Sequence, residues 1–155
     1  MKIVILDNVR SALNIGAIFR TSSGIGVDKI YICGISPTPF DKRGLKRKDF
    51  IKTALGSEDE IEWEYKENIL ELIQELKEKN FEIIGLEQNQ KSVDYKNLKI
   101  NNENIAVVVG SETDGIQEDV LNLCDQITEI PMLGLKESLN VTIAYAILAY
   151  RIWDK

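Results

Sequence analysis

The feature that most constrains this chain is a set of short apolar, β-branched runs that do not alternate with polar residues. Residues 2–6 read Lys-Ile-Val-Ile-Leu, 29–33 Lys-Ile-Tyr-Ile-Cys, 82–86 Glu-Ile-Ile-Gly-Leu and 105–109 Ile-Ala-Val-Val-Val. A strand with one wet face alternates with period two; near-continuous apolar runs of this length belong to strands covered on both faces. Helical patterns lie between them. Residues 12–20 form one, ending near Gly24 or Gly26, and 68–79 place Ile69, Leu72, Ile73 and Leu76 on one face and Glu or Lys on the other. Further strands are expected at 61–65 and 127–130, a short helix at 119–123, a loop over 34–44 and a polar connection over 89–104. The expectation is an α/β fold with a mainly parallel sheet and helices on both faces, in one domain over 1–155.

The last element, residues 139–153, is apolar almost all round, with Asn140, Thr142 and Arg151 as its clear polar exceptions. One subunit of this size covers one side of such a helix, so a second subunit is expected against the other.

Composition removes several chemistries. Histidine is absent and cysteine occurs twice, at Cys33 and Cys124. That excludes a Cys/His nucleophile, a Ser-His-Asp triad and a tetrahedral zinc site, and no metal is expected. Both thiols are expected to pack as small buried hydrophobes. No apolar run reaches the roughly 20 residues of a membrane span, and the N-terminus turns acidic at Asp7, too soon for a signal peptide. A cytoplasmic location is expected. The formal net charge of −6 runs against a nucleic-acid partner, yet Lys42, Arg43, Lys46, Arg47, Lys48 and Lys52 crowd one short segment. That cluster is either a solvated face or a contact surface for phosphates.

In parallel α/β sheets ligands lie beyond the carboxyl ends of the strands. Neither a dinucleotide fingerprint nor a Walker A loop is present. What remains are the loop Gly110-Ser111-Glu112-Thr113-Asp114-Gly115 and the loop running from Ile130 to Thr142. Glu112 stands at a strand tip; Ser138 is a candidate helix N-cap; Asn140 in an apolar helix calls for a buried partner. Asn14 and Arg20 interrupt the first helix, and Arg20 needs an anion or a salt bridge, for instance to Glu112.

Taken in order, Asn14 through Gly16-Ala17 to Arg20, then Val109-Gly110-Ser111-Glu112-x-x-Gly115, then Ile130-Pro131-Met132 followed by Ser138-Leu139-Asn140-Val141-Thr142, resemble the three signature motifs of the SpoU/TrmH group of RNA methyltransferases. The match runs from about residue 8 to 150. The resemblance implies a C-terminal trefoil knot, a homodimer, and S-adenosylmethionine held around Leu86, Gly110, Ile130, Met132, Ser138 and Leu139. It implies that Arg20 acts at a ribose 2′-hydroxyl, with Asn14, Glu112, Ser138 and Asn140 shaping the site. RNA would then be met by Arg10, Lys42, Arg43, Lys46, Arg47 and Lys48. Relatives with appended RNA-binding domains are larger, so a minimal form acting on tRNA more readily than on rRNA is expected. The competing reading is a non-catalytic RNA- or cofactor-binding relative; an unrelated small-molecule enzyme would require the motif match to be coincidence.

Overall fold

The computed structural model describes residues 1–154. A seven-stranded sheet runs in the order β3-β2-β1-β6-β4-β7-β5, and every registered pair is parallel. The strands are β1 (Lys2–Asp7), β2 (Lys29–Cys33), β3 (Glu62–Lys66), β4 (Glu82–Leu86), β5 (Val93–Asp94), β6 (Ile105–Val109) and β7 (Gln126–Glu129). The helices are α1 (Ala12–Ile25), α2 (Lys48–Ala54), α3 (Ser57–Glu60), α4 (Ile69–Glu78), α5 (Glu118–Leu121) and α6 (Val141–Trp153). No described helix is long and apolar enough to cross a membrane.

The apolar runs form the central strands for the expected reason. Successive side chains of a strand point to opposite faces, so β1 sends Val4 and Leu6 into one core and Ile3 and Ile5 into the other. β6 divides likewise, with Val107 and Val109 on the first side and Ala106 and Val108 on the second. The first core is closed by α1, α2 and α6 through Ile15, Phe19, Phe50, Tyr145 and Leu148. The second is closed by α4 and α5 through Leu72, Ile73, Leu76 and Val120. Helices therefore cover both faces, and α5 and α6 lie on opposite sides of the sheet. The stretch joining β7 to α6 leaves the sheet at its carboxyl edge and leads to the face that α1 also covers.

Local signals explain the helix ends. The Ser11 hydroxyl caps α1 by accepting from the Asn14 N–H, and Gly26 ends it at φ 69°. Asn68 caps α4 through the N–H groups of Leu70 and Glu71. At Gly16 a Cβ would collide with the Phe50 carbonyl and the Thr53 hydroxyl, so this glycine allows α2 to lie directly against α1. Three expectations need correction. The connection over 89–104 contains β5, whose Val93–Asp94 pairs with Thr128 and Glu129. The last helix starts at Val141 and is capped by Asn140, which accepts from the Thr142 N–H; Ser138 is not its cap. Cys33 is buried, but Cys124 is half-buried.

Asp7, at the end of β1, is buried. Burial first, and the nearby Asp119 charge second, push its carboxyl up to about 6, against the hydrogen bond from the Asn8 amide. A folded-state pKa above the unfolded value disfavours the ionised form on folding. Stability from this group is therefore greatest below about pH 4 and is lost as pH rises to about 6. Asp7→Asn is expected to melt higher than the parent protein at pH 8, with the advantage shrinking toward pH 4; thermal melts at both values check it.

Candidate functional site

The carboxyl edges of β4, β6 and β7 and the start of α6 enclose a cavity of about 580 Å³. That volume falls within the roughly 300–1,000 Å³ common for small-molecule sites. Leu86 and Glu87 lie at the end of β4, Val109 to Gly115 at and beyond the end of β6, and Glu129 and Ile130 at the end of β7. Glu137 to Val141 and Ala144 close the remaining side.

The floor depends on close backbone approach. A Cβ on Gly110 would come 2.6 Å from the Gly115 carbonyl carbon and the Ile116 nitrogen. Gly115 adopts φ +66°, where a side chain would strike the Glu87 carboxylate. Glu87 fixes this turn from below, accepting from the Ile116 N–H at 2.8 Å. Gln88 reaches across with its amide to the Glu137 carbonyl at 2.9 Å, linking the β4 and α6 walls.

Glu112 is the junction of the site. Its carboxylate accepts from the Arg10 N–H at 2.9 Å, the Ser11 N–H at 3.1 Å and the Asn14 side-chain amide at 2.9 Å. Burial raises its pKa, but these hydrogen bonds outweigh that and hold it below the usual carboxylate range. Asn14 also accepts from the Asn140 amide at 3.4 Å, so all three motif segments meet. The Arg10 guanidinium pairs with Asp114 at 2.8 Å, a second tie between the first segment and the loop after β6.

Of the residues singled out from the sequence, Leu86, Gly110, Glu112, Ile130, Ser138, Leu139 and Asn140 line the cavity, and Asn14 joins them through Glu112. Met132 is half-buried and is not part of the lining. Arg20 stands apart. It is exposed on the outer face of α1 and, among the described residues, forms neither a hydrogen bond nor the expected salt bridge to Glu112. One turn before it, Gly16 meets α2; one turn after it, a Cβ on Gly24 would lie 3.4 Å from the Tyr150 hydroxyl of α6. Asn140 likewise has no buried partner: it is exposed, and its oxygen serves the start of α6.

The basic cluster is less free than its composition suggests. Lys46 is bound to Glu58 and Asp59, and Arg43 to Asp41. Arg47 is half-buried, with an enclosed Nε that has no partner. Lys42, Lys48 and Lys52 are exposed and in no salt bridge among the described residues. Sequence reading passed over Glu87, Glu129 and Glu137, which line the cavity; their only available signal was position, at or just past a strand end or before Ser138.

A parallel sheet covered on both faces, with a small-molecule cavity at the carboxyl ends of its strands, defines an α/β ligand-binding domain. The chain belongs to the SpoU rRNA Methylase family, whose domain model matches residues 1–150. A Staphylococcus aureus (strain COL) protein named for the TrmH family of tRNA/rRNA methyltransferases is 30% identical over 155 residues, 100% of this chain. The chain spans 59% of that relative's length. Among solved structures, the A. aeolicus TrmH/SpoU tRNA modifying enzyme is 28% identical with a TM-score of 0.82, covering 96% of this chain and 72% of that one. The AdoMet-bound rRNA methyltransferase from Sinorhizobium meliloti shares the fold at a TM-score of 0.86 and 23% identity, over 97% of this chain and 54% of that one.

Proposed function

We propose that this chain is a methyltransferase domain that uses S-adenosylmethionine to methylate a ribose 2′-hydroxyl in RNA, tRNA in preference to rRNA. The observation that carries this reading is the convergence of the three motif segments, through Glu112, Asn14 and Asn140, on one cavity. The cavity suits the cofactor in size, with Leu86, Ile130, Leu139 and Val141 as apolar walls and the peptide groups from Gly110 to Gly115 as a polar floor. Within the same reading, the chain between β7 and α6 takes part in a trefoil knot; the likeness of fold supports this.

Bound S-adenosylmethionine supplies an intrinsically transferable methyl on its sulfonium, so the protein's task is chiefly positioning. Glu112 holds the turn at Arg10 and Ser11 and the Asn14 amide, fixing the edge of the cavity that faces the nucleotide. Asn140 and Ser138 present polar atoms at the start of α6. Arg20 would orient the ribose hydroxyl or a neighbouring phosphate, its planar guanidinium acting as a hydrogen-bond donor rather than as a base.

A homodimer completes the site. α6 exposes Ile143 at 51% and Tyr150 at 49%, with Ala146 and Ile147 half-buried between them. These positions recur at i, i+3, i+4 and i+7, a single apolar stripe. Tyr150 lies beside Gly24, on the same α1 face as Arg20. A dimer built on this stripe would set Arg20 at the interface, within reach of a ribose presented there.

The test is methyl transfer from labelled S-adenosylmethionine to bulk RNA from a strain lacking the protein, with mass spectrometry locating the modified nucleotide. A melting temperature that saturating S-adenosylmethionine does not raise would count against the whole reading. RNA contact is assigned to the free cations. Replacing Lys42, Lys48 and Lys52 by Glu is expected to weaken RNA binding and to lower its salt slope by roughly 0.7–0.9 for each phosphate that is no longer neutralised. Cofactor affinity should be unchanged, and unaltered RNA affinity would return the cluster to a solvated face.

A further inference from the structure

Five carboxylates line the cavity, those of Glu87, Glu112, Asp114, Glu129 and Glu137, and no lysine or arginine does so among the described residues. Three of them are already engaged. Glu87 accepts from the Ile116 and Gln88 N–H groups, Glu112 from Arg10, Ser11 and Asn14, and Asp114 pairs with the Arg10 guanidinium. Glu129 and Glu137 have no side-chain hydrogen bond or salt bridge among the described residues. Glu129 ends β7 half-buried, and Glu137 stands one residue before Ser138 on the opposite wall. The cavity therefore carries negative charge that the chain itself does not neutralise.

Resting on the cofactor reading above, we propose that Glu129 and Glu137 determine specificity by charge, making the cavity prefer the cationic sulfonium of S-adenosylmethionine over the neutral thioether of S-adenosylhomocysteine. In the transfer a C–O bond to the ribose 2′-oxygen forms as the S–CH3 bond breaks: the sulfur keeps the bonding electron pair and loses its positive charge, and the hydroxyl proton is released to solvent. Cofactor and product are otherwise alike: adenosine, ammonium and carboxylate are common to both and cancel in the comparison. Uncompensated carboxylates lining the site act on that difference alone, through a Coulomb attraction that salt screens in part. The consequence is functional. Product is released because the charge that held the cofactor is gone, and the domain resists inhibition by its own product.

Isothermal titration of purified protein with each ligand tests this without any turnover. The unmodified protein is expected to bind S-adenosylmethionine about tenfold more tightly than S-adenosylhomocysteine, about 1.4 kcal/mol. In Glu129→Gln with Glu137→Gln the ratio should fall toward one, mainly through weaker S-adenosylmethionine binding. A nonreactive analogue bearing an ammonium in place of the methylsulfonium should follow the cofactor, and added salt should compress the preference. Glutamine keeps size and shape, and an unchanged melting temperature of the free variant establishes that it folds. A ratio near or below one in the unmodified protein, or an equal ratio in the double variant, overturns the proposal while leaving the cofactor reading intact. Failure of the unmodified protein to bind either ligand overturns both.

Discussion

Arg20→Ala is expected to reduce methyl transfer by roughly 10²–10³-fold, the scale for losing one donor that acts chiefly on the transition state. S-adenosylmethionine affinity should stay within a few-fold of the original. The structure sharpens this expectation because it removes the main structural alternative. Were Arg20 the partner of Glu112, its loss would loosen the loop after β6 and cofactor binding would fall with activity. Glu112 is instead satisfied by Arg10, Ser11 and Asn14, and Arg20 is exposed. Removing an exposed side chain with no partner among the described residues leaves melting temperature nearly unchanged. Lys at this position should also fail, since a point charge cannot reproduce a planar multi-donor group. Single-turnover transfer, cofactor titration and a thermal melt on one preparation separate the cases; near-normal turnover in a stable Arg20→Ala protein would end the proposed role.

Legibility in the sequence tracked how local each cause was. β2, β4 and β6 fall on the expected residues because strands covered on both faces leave an uninterrupted apolar run. β5 was invisible: two residues flanked by polar ones carry no period, and their pairing with β7 is decided by contacts over thirty positions away. α2 was hidden differently. Its two buried residues, Phe50 and Ala54, sit among charges; the Phe50 ring packs edge-on against Phe19, and the α2 backbone comes close only because Gly16 has no Cβ. The same limit applied to the site. Motif order pointed to loops that line the cavity, yet no periodicity reveals that Asn14 meets Asn140 across 126 positions. Nor could local composition show that the acids of α3 would occupy Lys46. A charge cluster read from sequence is an upper bound on free charge.

Ile143→Glu is expected to convert a dimer to a monomer at micromolar concentration. The residue sits at the start of the one apolar stripe that α6 leaves uncovered, with Ile147 and Tyr150 one and two turns along. Homodimer interfaces are usually two-fold and isologous, so one substitution puts two carboxylates into the same patch. Burying each without a cation is unfavourable, and their mutual repulsion adds to the cost. Association should weaken by at least about a hundredfold, or about 2.7 kcal/mol. Because Ile143 faces away from Tyr145 and Leu148, which fill the first core, the monomer should remain folded. Light scattering then distinguishes a species of 17.6 kDa from one of twice that mass. The cavity is lined by Val141 and Ala144 on a different side of α6, so S-adenosylmethionine should still bind the monomer. Methyl transfer should nevertheless collapse if the interface is what brings Arg20 and the ribose together. An unmodified protein that is monomeric at micromolar concentration would remove the interface, and an Ile143→Glu dimer would move it to another face. A fully active monomer would show that Arg20 works within one subunit.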